Sequence, residues 1–161
     1  GAAAQGPKAA APDCSKWTLD GYRLGMRGDE LLAVRSVTLH GEGQAQVTEP
    51  EVLHGVLVMD ALNLLEKWDV RYDAGSGERL RSEMRTRFGE PRSDVSGDLP
   101  GDASDVARQR RTIWRSAGCD VAVLIYENSR GLGASIRTVS ATLIRASTLP
   151  PGLVEMKTLF P

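Results

Sequence analysis

The residues that could do chemistry are few. Cys14 and Cys119 are the two cysteines, and His40 and His54 the two histidines. A Cys–His nucleophile needs a thiol held as thiolate beside a histidine. Cys14 follows an Ala-, Gly- and Pro-rich stretch, and Cys119 opens an apolar run just after Gly118, so neither stands at a helix start. An even cysteine count reads instead as a disulfide in an oxidising compartment. Cys14–Cys119 would close a loop of about 105 residues, for which chain entropy gives at most roughly 4–5 kcal/mol. A metal centre would need the two histidines with a carboxylate such as Glu42, Glu51 or Asp60, and their spacing matches no ligand pattern. Asp94, Asp98, Asp102 and Asp105 crowd one Gly-containing stretch but lack the order and closing Glu of a calcium loop. There is no G-x-S-x-G elbow and no phosphate loop; Gly131-Leu132-Gly133 reads as a hairpin turn. Catalytic residues, cofactor and metal are therefore all assigned as none, and the expectation is a non-enzymatic protein. A small-ligand carrier or hydrolase with a pocket around His54 is the alternative.

Binding chemistry is better represented. Arg108, Arg110, Arg111 and Arg115 cluster around Trp114. Strand alternation sends Arg108 and Arg110 to one side and Arg111 and Arg115 to the other. Charge of this kind suits an edge strand, where it discourages aggregation. If the cluster recognises anything, the candidate partner-binding residues are Trp114, Arg111 and Arg115, and the partner is an acidic protein surface or a lipid headgroup. A net charge of −1 argues against bulk attraction to nucleic acid. No apolar run approaches the roughly 20 residues of a membrane span. Oligomeric state is not readable.

These residues must be positioned by short elements. Asp29 and Glu30 place negative charge in the first turn of a short helix whose apolar side is Leu31, Leu32 and Val34. Residues 37–48 alternate weakly and read as an exposed strand or hairpin arm ended by Glu49-Pro50. Residues 51–61 read as a buried strand. Trp68, Val70 and Tyr72 alternate with Lys67, Asp69 and Arg71, the clearest period of two in the chain. Leu80, Met84 and Phe88 recur every four residues, with Ser76 or Asp73 as cap before them and Gly89 and Pro91 after; this predicts a helix over 77–88. Residues 92–105 read as a polar loop. Three antiparallel strands follow, 106–116, 119–127 and 134–146, the middle one central. The two-proline tail packs irregularly.

The resulting fold class is α+β: antiparallel sheet packed by short helices, with a duplicated helix-plus-β-meander unit (halves 17–73 and 74–147) as its finer form. Trp68, Tyr72 and Trp114 fall on the helix-covered face. Residues 1–13 carry no large apolar side chain and read as a flexible leader behind a removed signal peptide, with 14–161 as a single domain.

"LGMRGDEL" at 24–31 resembles the helix start of BamE/SmpA-like outer-membrane lipoproteins, a motif shared by the tandem β-lactamase inhibitor proteins, with Arg27 where that motif has Thr. "LRSEMRTRFGEP" followed by "IWRSAGCDVAVLIYE" is similar to a helix-then-sheet unit of exported bacterial proteins. The resemblance implies a bacterial exported domain, periplasmic, secreted or anchored through an upstream segment. It would be a binding or envelope scaffolding module whose partner is a protein or cell-envelope component. A secreted enzyme inhibitor is the second form it allows.

Overall fold

The computed structural model describes residues 12–35, 37–39, 43–49, 52–98, 107–131 and 135–159. Helix α1 (Gly28–Val34) precedes strands β1 (Thr38–Leu39), β2 (Gln44–Glu49), β3 (Val52–Met59) and β4 (Leu65–Tyr72). Helix α2 (Gly77–Phe88) precedes β5 (Ser93–Asp98), β6 (Arg108–Arg115), β7 (Ala122–Arg130) and β8 (Ile136–Ile144). The strands form one 8-stranded sheet in the order β1-β2-β3-β4-β8-β7-β6-β5. Each adjacent pair is antiparallel. Each set of four strands is thus a meander introduced by a helix, and the two meanders join along β4 and β8.

Helix α2 forms where the four-residue repeat predicted it. Leu80 and Met84 are buried, and Gly89 ends the helix at φ 84°, a conformation glycine adopts without strain. Ser76 occupies the N-cap without a side-chain hydrogen bond, so its capping role is not realised. In α1 the Arg27 backbone N–H donates to Glu30 Oε1 at 3.1 Å. Leu31 is buried, but Leu32 is 59% exposed: a helix of 7 residues presents only one stripe to the sheet, and Leu32 lies off it.

Both helices cover the same sheet face. Its core joins Leu31, Leu80 and Met84 to Val47, Leu57, Trp68, Val70, Tyr72, Trp114, Val123, Ile125, Val139, Ala141 and Leu143. The registers Leu57↔Trp68, Trp68↔Leu143, Val123↔Leu143 and Trp114↔Val123 lay one continuous buried row across five strands. Trp68 and Met84, each fully buried, belong to one cluster.

Three expectations change. Residues 93–98 are not loop but strand β5, whose Ser96 and Asp98 stand opposite Arg110 and Arg108. Charge pairing across strands supports it where hydrophobic alternation is absent. Consequently β6 is an interior strand with β5 outside it, so its arginines do not guard an edge. Residues 37–48 divide into β1 and β2, and β2 is not exposed, because Val47 lies fully in the core. The leader's residues 1–11 and the remainder of the expected loop, 99–105, lie outside the described residues.

The N-terminal segment is fastened at several points. Cys14 and Cys119 lie at disulfide distance, with sulfurs 2.08 Å and Cα atoms 5.7 Å apart. Trp17 stacks on Phe88 with ring centroids 4.1 Å apart. Arg87 Nη2 donates to the carbonyls of Lys16 and Thr18. Next, Asp20 and Gly21 make a tight turn at positive φ. There Asp20 Oδ2 accepts from Trp68 Nε1 at 2.9 Å and from the Tyr72 hydroxyl at 2.5 Å.

Candidate binding surface

The sheet's outer face, away from the helices, is built from three aligned rows. Val56, Asp69, Thr142, Leu124 and Ile113 form one, and Val58, Lys67, Ile144, Ala122 and Arg115 the next. His54, Arg71, Ser140, Tyr126 and Arg111 form the third. The chain's own C-terminal segment treats the two ends of these rows differently. After β8 it makes a 3-10 turn at Ala146–Thr148, anchored where Asp120 accepts from the Ser147 backbone N–H at 2.7 Å and from its hydroxyl at 2.8 Å. Leu149, Leu153 and Val154 then pack on Ile113, Ala122 and Leu124, with Tyr126 and Ile144 at the margin. Its last described residue, Leu159, comes within van der Waals reach of Gly97 on β5. The second meander's outer face is thereby covered.

The first meander's outer face has no such cover among the described residues. Val56, Val58 and Ile144 lie there half-buried. Around them stand side chains that hydrogen-bond one another along the surface. Gln46 Nε2 lies 2.9 Å from His54 Nδ1, within hydrogen-bond distance. Thr142 Oγ1 donates to Asp69 Oδ1, and Lys67 Nζ lies 3.3 Å from Asp69 Oδ2. Arg71 is exposed, and no described carboxylate pairs with it. At the margin where the tail departs, Val58, Glu66, Lys67, Ile144, Arg145 and Thr148 enclose a hollow of about 230 Å³. The bare half therefore has a small apolar centre, a hydrogen-bonding rim and three cations, Lys67, Arg71 and Arg145. Asp69 and Glu66 are the described carboxylates among them, and Lys67 and Thr142 already engage Asp69.

The residues singled out from sequence fall in different places. Trp114 is buried on the helix face and its Nε1 donates to the Gly89 carbonyl at 2.9 Å. Arg111 is buried beneath the tail, with Nη2 3.5 Å from the Leu153 carbonyl. Of the three, Arg115 alone reaches solvent. The structure does not bring them together. His54 lies on the bare outer face, whereas His40 lies outside the described residues. Asp94 and Asp98 engage arginines of β6, and Asp102 and Asp105 lie outside the described residues. The bare half-face itself was missed. Its one sequence signal is the polar side of the best strand, Lys67, Asp69 and Arg71, which alternation places opposite Trp68 without saying whether anything covers it.

No helix of the described residues is long and apolar enough to cross a membrane. No family model, curated protein or solved structure matches this chain.

Proposed function

We propose that this chain is an exported, non-enzymatic binding module that docks an acidic, extended segment of a partner protein on the bare half of its outer sheet face. One observation carries the reading. As far as Leu159 the C-terminal segment covers the outer face over β5–β7, and no described segment covers β2–β4, where Val56 and Val58 remain half-buried inside a polar rim. An apolar centre with a polar margin that includes Arg71 is the composition of a protein interface. The excess of Lys67, Arg71 and Arg145 over Asp69, already engaged, and Glu66 favours acidic partners and speeds their encounter. Export is supported by the Cys14–Cys119 pair, since such bonds persist in oxidising compartments. Two meanders, each with its helix, joined β4 to β8 are also what internal duplication leaves behind.

The test is a photo-crosslinking residue at Val56 in the intact chain, exposed to an extract of the native cell envelope, with Glu83 on α2 as comparison position. The expected result is one adduct from position 56, absent from position 83 and abolished by Arg71→Glu. Adducts of equal yield from both positions, or insensitivity to Arg71→Glu, would overturn the assignment of the face.

A further inference from the structure

On the opposite side of the sheet, past the N-terminus of α2, the inner face changes from apolar to charged. Two rows run across β5–β8. One is Ser96, Arg110, Glu127 and Val139; the next outward is Asp98, Arg108, Ser129 and Arg137. A cavity of about 360 Å³ lies over them, lined by Ser96, Arg108, Arg110, Glu127, Ser129 and Arg137.

The charges here are not fully spent. Arg110 is bound to Asp94 through two nitrogens, at 2.9 and 2.8 Å, and reaches Glu78 at 3.1 Å. Glu127 Oε2 accepts from Arg81 Nη2 at 2.8 Å, and that guanidinium is buried with Nε and Nη1 unpartnered. Arg108 makes two long contacts, to Asp98 at 3.3 Å and from Nη2 to the Ser96 hydroxyl at 3.4 Å, and the Arg108 and Asp98 side chains lie largely in solvent. Arg137 is exposed, and no described carboxylate pairs with it. Arg108 and Arg137 flank Ser129 in a single row, with backbones roughly 10 Å apart given the spacing of strands. Two guanidiniums reaching over one hydroxyl repel each other, and an oxyanion between them turns that repulsion into two charge-assisted hydrogen bonds. One row inward, two residues along β7 and about 7 Å away, Glu127 offers a fixed carboxylate that repels a second anion and accepts from a hydroxyl or ammonium.

We infer that this cavity binds a small molecule with a phosphate-like oxyanion at one end and a hydrogen-bond donor at the other. The oxyanion sits between Arg108 and Arg137 over Ser129, and the donor sits against Glu127. A soluble phosphorylated amine and a phospholipid headgroup share that chemistry. The site lies on the face opposite the docking surface and does not depend on it.

The test titrates the intact, isotope-labelled protein with O-phosphoethanolamine and with inorganic phosphate, following backbone NMR shifts. Saturable shifts at Ser129, Arg137 and Arg108 are expected, with O-phosphoethanolamine the tighter ligand. Arg137→Gln should weaken it about ten-fold. Asp98→Asn removes the carboxylate that competes for Arg108 and should tighten it, an effect no merely structural role of Asp98 would give. Arg115→Gln, on the other face, should leave binding unchanged. Co-sedimentation with phosphatidylethanolamine vesicles, competed by O-phosphoethanolamine, would assign the lipid source, and soluble binding alone the free metabolite. No saturable shift at tens of millimolar, or equal affinities for wild type, Arg137→Gln and Asp98→Asn, would overturn the site.

Discussion

Gly55 lies flat against the Trp68 indole: a Cβ built on Gly55 would fall 2.1 Å from Cη2 and 2.6 Å from Cζ3. The two sit on adjacent strands, and Trp68 is fully buried at the middle of the sheet. The clash is with a rigid ring, so a side chain can be admitted only by displacing the indole or bending β3. Gly55→Ala should therefore cost about 3 kcal/mol, read as a fall in the urea midpoint. An unchanged midpoint would mean that β3 and β4 do not meet in this register.

Asp20 is the acceptor for both buried donors of β4. Asp20→Ala leaves the Trp68 N–H and the Tyr72 hydroxyl without a partner and should cost roughly 2–4 kcal/mol. The same site sets an alkaline dependence. Burial, then the charge and hydrogen bond of Asp20, hold the Tyr72 hydroxyl well above the ordinary tyrosine range. Its folded value is raised, so the associated stability is complete below the unfolded value near 10 and is lost as pH rises beyond it. The slope should be about 1.4 kcal/mol per pH unit from this one group. Absorbance titration should show Tyr72 ionising only with unfolding; a phenolate forming near pH 10 in the native protein would contradict the Asp20 contact.

Acid dependence comes from the opposite end of the fold. The hydrogen bond from Arg110 holds the Asp94 carboxyl below its usual range, helped by the Thr112 hydroxyl. A depressed value means stability present above the unfolded pKa near 3.9 and lost as pH falls through the lower folded one. Asp94→Asn should cost about 1–2 kcal/mol at pH 7. The difference from wild type should shrink as the pH falls below the unfolded value, as measured by denaturation at pH 7 and in acid. A difference that stays constant would show that the carboxylate charge is irrelevant there.

The Cys14–Cys119 bond should leave no titratable thiol in the native, unreduced protein. Reduction should lower stability by about 2–4 kcal/mol, because the bond closes a long loop in the unfolded chain. Two thiols reacting in native protein would remove the pairing and, with it, the main support for export.

Covering of the second meander by the tail is open to the same kind of test. Leu153→Asp puts a charge against Ile113 and Leu124 and should cost about 2 kcal/mol while exposing that patch to a hydrophobic dye. Unchanged dye binding and stability would mean that the tail does not seal this face.

Much of the architecture was legible because its signals are local. Alternation at 68, 70 and 72 and the four-residue step at 80, 84 and 88 depend on backbone geometry alone, and both stripes ended in one core. Strand β5 was not legible, because Ser93–Asp98 carries no apolar alternation. Its partners are Arg108, Arg110 and Thr112, beyond an intervening stretch that sequence cannot fold back. The Asp-Gly dipeptide at 20–21 is an ordinary turn signal, yet that this turn delivers a carboxylate to Trp68 and Tyr72 depends on a contact some fifty residues away.

Sequence by itself determined that the chain makes antiparallel strands with two short helices, which side of β4 and of α2 is apolar, and which two sulfurs can pair. Those follow from the periods of helix and strand and from counting. Only the tertiary structure decided that β4 meets β8, that Arg111 is buried, and that the tail shields one half of the outer face while no described residue covers the other. Each of these is a choice of partner between distant segments, settled by which surfaces exclude water together, and no local pattern encodes it.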